Sequence, residues 1–100
     1  MDKTEAIIKV REFKRLIEDH FDISQIFLFG SYALGTNREH SDIDVAVLVD
    51  SIKGDYFDTV PLLWKMRREV DTRIEPVLFE KDNDPSGFIE EIKRTGIEII

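Results

Sequence analysis

Residues 30–44 read GSYALGTNREHSDID, and the runs on either side of them are apolar: SQIFLF (24–29) before and VAVLV (45–49) after. SQIFLFG (24–30) has the look of a short buried strand stopped by Gly30, and DIDVAVLV (42–49), rich in β-branched residues, is the clearest strand of the chain. The quoted stretch therefore joins two strands through a short helical turn and a polar loop over 31–40. It opens on a glycine-serine turn and closes on two aspartates one residue apart.

Working outward, residues 4–19 place Ala6, Ile7, Val10, Phe13, Leu16 and Ile17 at helical spacing. After the polar break DSIKGD, the segment TVPLLWKMRREV (59–70) reads as a helix, with Thr59 as its cap and Pro61 in its first turn. TRIEPVLF (72–79) is a third strand, in which Pro76 lacks a ladder donor and points to an edge or a bulge. Residues 86–95 form a short helix ended by Gly96, and IEII makes a last strand or tail. The order α-β-α-β-α-β-α-β, without repeats or low-complexity runs, predicts one compact α/β or α+β domain over residues 1–100.

Composition narrows the partners. The chain has 100 residues, an apolar fraction of 42% and a formal net charge of −7. One core fits that length, and the negative balance argues against gripping a nucleic-acid backbone, which takes Lys and Arg. No cysteine is present, so disulfides and thiolate metal sites are out of reach. The charged first twenty residues lack a signal-peptide core, and no apolar run nears the ~20 residues of a membrane span. A cytoplasmic protein is the expectation.

The chemistry begins with the acids. On a strand, side chains at i and i+2 share a face, so Asp42 and Asp44 project together while Ile43, Val45 and Val47 turn away. Two carboxylates so close repel each other until one binds a proton or a cation sits between them. With oxygen ligands alone, that cation is Mg²⁺ or Mn²⁺. The plainer alternative is a pair of solvated loop-end charges, which the apolar strand behind them disfavours. Glu75 is a third acid inside an apolar strand. It either pairs outward with Arg73 or, if its strand neighbours that of Asp42 and Asp44, completes a set of three. Such a set suffices for a two-metal site with ions about 3.5–4 Å apart. Gly30 permits close backbone approach, and Ser31 adds a hydroxyl where backbone N–H groups at a helix start favour an anion. GSYALGT has the G-x-x-x-x-G outline of a P-loop without its lysine, so a Walker cradle is not expected. An anion-binding turn some ten residues before paired acids points to a metal-bound nucleoside triphosphate.

GSYALGTNREHSDIDVAV resembles the signature of the DNA polymerase β-like nucleotidyltransferases: Gly-Ser, a spacer with a second glycine, then Ser-Asp-x-Asp leading a strand. The chain as a whole is similar to the minimal nucleotidyltransferases. That resemblance implies a small mixed sheet of about four strands flanked by helices. It implies that Gly30 and Ser31, with Ser41, hold the nucleotide phosphates. Asp42 and Asp44 would ligate two Mg²⁺ ions, and Glu75 would complete the catalytic ion's shell and help activate an attacking hydroxyl. Many members carry an arginine at or just after the turn, where this chain has Tyr32 and Leu34, and its nearest base is Arg38. Arg38, Lys65, Arg68 and Arg73 are candidate phosphate partners or, more plainly, solvated surface. His20 and His40 lack ligand spacing, Trp64 and Met66 suit a helix–sheet core, and Asp50, Asp55 and Asp58 form a diffuse acidic patch.

Members of this type commonly pair with a small helical HEPN toxin, and the activity implied is transfer of AMP from ATP to a tyrosine hydroxyl of that toxin. Two alternatives stay open. One is a binding module that neutralises its partner by contact alone. The other is nucleotidyl transfer to a small acceptor such as an aminoglycoside, with a homodimer supplying the cleft.

Overall fold

The computed structural model describes residues 1–52 and 56–100, the side chains of 56 and 57 lying outside that description. The elements alternate as the sequence predicts: α1 (Lys3–Ile17), β1 (Ile23–Phe29), α2 (Ser31–Leu34), β2 (Ile43–Val49), α3 (Tyr56–Met66), β3 (Ile74–Glu80), α4 (Phe88–Thr95) and β4 (Ile97–Glu98). A 3-10 turn, Arg67–Glu69, carries α3 toward β3. The strands form one mixed sheet in the order β3-β2-β1-β4. β1 is antiparallel to β2 and β4, whereas β2 and β3 run parallel and need the α3 crossover between them.

The pleat sorts β2 into two sets. Ile43, Val45, Val47 and Val49 join a core with Ala6, Val10, Phe13 and Ile17 of α1 and Leu63 and Met66 of α3. Ala46 and Leu48 turn to the other face, where Phe27 and the α4 residues Ile89 and Ile92 cover them. Burial on both faces is why this strand reads as a continuous apolar run rather than as an alternation. Asp44 interrupts it on the α4 face, by the same alternation.

Several local expectations shift. β2 begins at Ile43, so Asp42 stands one residue outside the strand. α3 begins at Tyr56, which puts Thr59 within the helix and Pro61 inside it rather than in its first turn. Burial of Leu63 and Met66 in the core outweighs the single ladder bond that Pro61 cannot make. β3 begins at Ile74 because residues 71–73 form a turn, in which the Asp71 carboxylate accepts the Arg73 backbone N–H at 2.8 Å. Gly96 ends α4 in extended backbone instead of a left-handed cap; a Cβ there would lie 2.6 Å from the Ile92 carbonyl oxygen.

Pro76 sits on an edge strand, as its missing donor requires. Ile43 N–H donates to the Arg73 carbonyl at 2.8 Å, so Arg73 and, two residues on, Glu75 turn their backbone groups inward to β2. Ile74 and Pro76 turn theirs to the free edge.

Candidate active site

Phe29, Asp44 and Glu75 are register partners on three neighbouring strands, so one row across the sheet carries two of the three acids. Asp42 precedes this row from the exposed end of the loop. At the other side of the row β1 ends and Gly30 turns the chain with φ +71°. A Cβ at Gly30 would run into the Asp44 carboxylate. The glycine is thus required twice, by its backbone angle and by the acid against it, and the phosphate-type turn and the acid row are one place. From there α2 makes a single turn, Ser31 half-buried at its start, closed by Gly35 at φ +76° and by Thr36 N–H donating to the Ser31 carbonyl at 2.9 Å.

Mutual repulsion is visible in the electrostatics. Burial first, and then the charge of Asp42, push the Asp44 carboxyl above the ordinary carboxylate range. Glu75 is likewise raised, by burial, by the charge of and a hydrogen bond with Asp42, and by Asp44, while Arg67 draws it the other way. Arg73 is not Glu75's partner: it is engaged by Asp71, at 3.1 Å through Nε and 2.8 Å through Nη2. Among the described residues no three acid or histidine side chains are already arranged as a closed ligand set. The donors nonetheless fit a hard divalent cation. They are all carboxylate oxygens, and the burial and neighbouring negative charge that raise Asp44 and Glu75 are what such a cation would offset.

The remaining sequence candidates sort themselves. The Ser41 hydroxyl accepts the Arg38 backbone N–H at 2.7 Å, so it staples the loop that delivers Asp42. Arg38, Lys65 and Arg68 are exposed, as are His20 and His40. Tyr32 buries its ring completely, whereas Leu34 is 61% exposed beside the turn. Met66 is core, and Trp64 is half-buried with the Arg67 guanidinium 4.6 Å from its ring centroid. Asp50 pairs with Lys81 at 3.1 Å, Asp58 is exposed, and Asp55 lies outside the described residues.

Arg67 is the residue that sequence reasoning passed over. Its spacing of three from Trp64 was the available signal, since i and i+3 meet on a helix face. A cleft of about 490 Å³ opens at the other end of the sheet, between Phe21, Val49, Leu62 and Leu78, and includes none of the three acids. Among the described residues no helix is long and apolar enough to cross a membrane.

Comparison with known proteins agrees with this geometry. The profile of the family described as "Polymerase beta, Nucleotidyltransferase" matches residues 11–100. A Methanocaldococcus jannaschii protein named "Putative protein adenylyltransferase MJ0141" is 31% identical over 101 residues, covering 95% of this chain and 99% of its own. A toxin–antitoxin structure with AMP-PNP superposes with a TM-score of 0.67 at 24% identity, over 94% of this chain and 72% of that one. A mutant MntA–HpeT toxin–antitoxin structure gives a TM-score of 0.66 at 26% identity, over 91% and 71%. A glycine turn pressed against a carboxylate, a third acid in register on the parallel neighbour and a family match across nine-tenths of the sequence agree: the chain belongs to the polymerase β nucleotidyltransferase family, among the minimal nucleotidyltransferases, and is an enzyme of nucleotidyl transfer.

Proposed function

We propose that this chain, acting as a single domain, transfers AMP from ATP to a hydroxyl of a partner protein and thereby serves as that partner's antitoxin. The observation that carries this is the row Gly30–Asp44–Glu75, which sets a close-approach turn, a paired acid and a third acid side by side. Its kinship with a protein named as an adenylyltransferase supports transfer to protein, and the toxin–antitoxin neighbours support the partner. The acceptor is a tyrosine of a helical HEPN-type toxin, as the resemblance of the sequence implies.

Gly30 and Ser31 hold the β- and γ-phosphates through backbone N–H groups and the Ser31 hydroxyl. Asp42, Asp44 and Glu75 would hold divalent cations, Mg²⁺ or Mn²⁺ given all-oxygen donors, which when bound would supply neutralisation of charge on the phosphate oxygens. The acceptor oxygen forms its bond to the α-phosphorus from the Glu75 side. The bond to the β-phosphate bridging oxygen breaks, pyrophosphate departs on the Gly30 side, and the hydroxyl proton passes to the Glu75 carboxylate and on to water. Positioning and charge neutralisation supply most of the acceleration.

The test is incorporation of labelled AMP into the partner by wild type and by Asp44→Asn. Transfer that falls by about 10³-fold or more, with an unchanged fold, supports the reading; equal transfer by the two proteins ends it. An Asp44→Asn protein that has lost transfer yet still neutralises the partner would instead favour neutralisation by contact.

A further inference from the structure

Arg67 lies in the 3-10 turn between α3 and β3, outside every element that carries the acids. Its Nη1 donates to the Ile74 carbonyl at 3.1 Å and also to the Thr72 carbonyl. Its guanidinium rests on the Trp64 ring, and its Nε is buried without an acceptor among the described residues. The two carbonyls belong to the backbone that leads directly into Glu75. On the inner side, that backbone is held by Ile43 N–H on the Arg73 carbonyl. On the outer side β3 has no neighbouring strand, and the Arg67 guanidinium stands where a strand would otherwise pair.

We propose that Arg67 is the positioning residue for Glu75: it clamps the free edge of β3 so that the Glu75 carboxylate stays turned toward Asp42 and Asp44, ready to share a divalent cation. This rests on the three acids being the metal-holding set. The direction in which its charge draws the Glu75 carboxyl, against burial and the two aspartates, is consistent with that placement. Arginine suits the task better than lysine, because a planar fork reaches two carbonyls while its face stacks on Trp64. The clamp also stands on the β3 side of the acid row, away from the Gly30 turn, which in the mechanism proposed above is the acceptor's side. An error of about 1 Å in Glu75 there costs on the order of 10²-fold in rate.

The experiment is Mn²⁺ binding, followed by electron paramagnetic resonance. It compares wild type, Arg67→Met, Arg67→Lys, Glu75→Gln and the Arg67→Met/Glu75→Gln double variant, each checked by a thermal melt. Arg67→Met should weaken Mn²⁺ binding by about 10-fold, as loss of a ligand's supporting partner does, and Arg67→Lys by less. On the Glu75→Gln background, Arg67→Met should add nothing, because Arg67 acts through Glu75. Wild-type affinity in Arg67→Met, or the same loss with and without Glu75, overturns the proposal. If Arg67→Met fails to melt cooperatively, Arg67→Lys carries the test on both backgrounds, with a partial loss expected only where Glu75 is present. A wild type that binds no Mn²⁺ defeats the metal reading itself and this proposal with it; a wild type that binds while Arg67→Met binds equally defeats this proposal alone.

Discussion

Asp71 and Glu75 stand four residues apart in the segment DTRIE, and each has Arg73 two residues away. Their surroundings are opposite. Asp71 accepts the backbone N–H and the guanidinium of Arg73, with the Lys9 ammonium at 3.5 Å, and its carboxyl is held down to about 2, chiefly by the Arg73 side chain. Glu75 stands beside Asp44 of the neighbouring β2 and near Asp42 just before it, and its carboxyl is pushed up, by burial first and then by those acids. The paired acid fastens the turn that starts β3. Glu75, without a cationic partner of that kind, is half-buried beside two other acids, the electrostatic setting in which functional carboxylates are commonly found. Stability has been set aside at Glu75 and collected at Asp71.

The contrast can be broken most sharply at Gly30. Gly30→Ala puts a methyl against the Asp44 carboxylate at φ +71°, and nucleotidyl transfer should fall by about 10²-fold or more. The backbone angle itself should cost about 1–3 kcal/mol, readable in a urea titration. Full activity in that variant would mean that Asp44 has room to spare and that the crowded row has no special place in catalysis.

Asp71→Ala should lower the melting temperature by about 4–8 °C, for roughly 1 kcal/mol of lost pairing in a domain of this size. A carboxyl held below its ordinary 3.8 stabilises the fold above that value and loses the contribution as pH falls toward 2. The gap between wild type and Asp71→Ala should therefore be full at pH 7 and close between about pH 4 and pH 2.

Glu75→Gln should move the other way. A carboxyl raised in the folded state binds its proton more tightly there than when unfolded, so its ionised form costs stability at neutral pH and the cost fades on acidification. Without metal, the variant should melt slightly above wild type at pH 7, with the two converging as pH falls through the ordinary glutamate range. Added Mg²⁺ should raise wild type more than the variant, by linkage. A Glu75→Gln protein that melts lower than wild type would erase the distinction between the two acids.

The smallest effect belongs to Tyr32. Its hydroxyl is buried without a partner among the described residues, so it is unsatisfied but uncharged. Tyr32→Phe should raise stability by up to about 1 kcal/mol in a calorimetric scan. A loss instead would mean that the hydroxyl has a partner in solution.

Much of this was legible in the sequence, for identifiable reasons. An apolar strand with one acid inside it and another just before it announces itself, and so does a third strand with a glutamate where valine belongs. That Asp44 and Glu75 stand in register was not legible, because a parallel pairing depends on how the α3 crossover docks and not on either strand's own pattern. The alternative of an Arg73–Glu75 pair treated both residues as strand, where i and i+2 share a face; Arg73 instead belongs to the preceding turn, which gives it to Asp71. Arg67 was half legible: its spacing of three from Trp64 signals the ring contact, whereas its bonds to backbone carbonyls carry no sequence signature. The early start of α3 was obscured by Pro61, which reads as a first-turn residue until burial of Leu63 and Met66 is known.

β3 is the strand most open to unwanted company, since an unpaired edge invites a strand from another molecule. Of its outward-facing groups, the Ile74 carbonyl is already occupied by Arg67 and the nitrogen of Pro76 has no hydrogen to offer. What remains beyond Pro76 is too short a ladder to template a sheet. The arrangement about Glu75 thus doubles as a guard against aggregation, and variants that loosen Arg67 or replace Pro76 should be the first to be lost from the soluble fraction at high concentration.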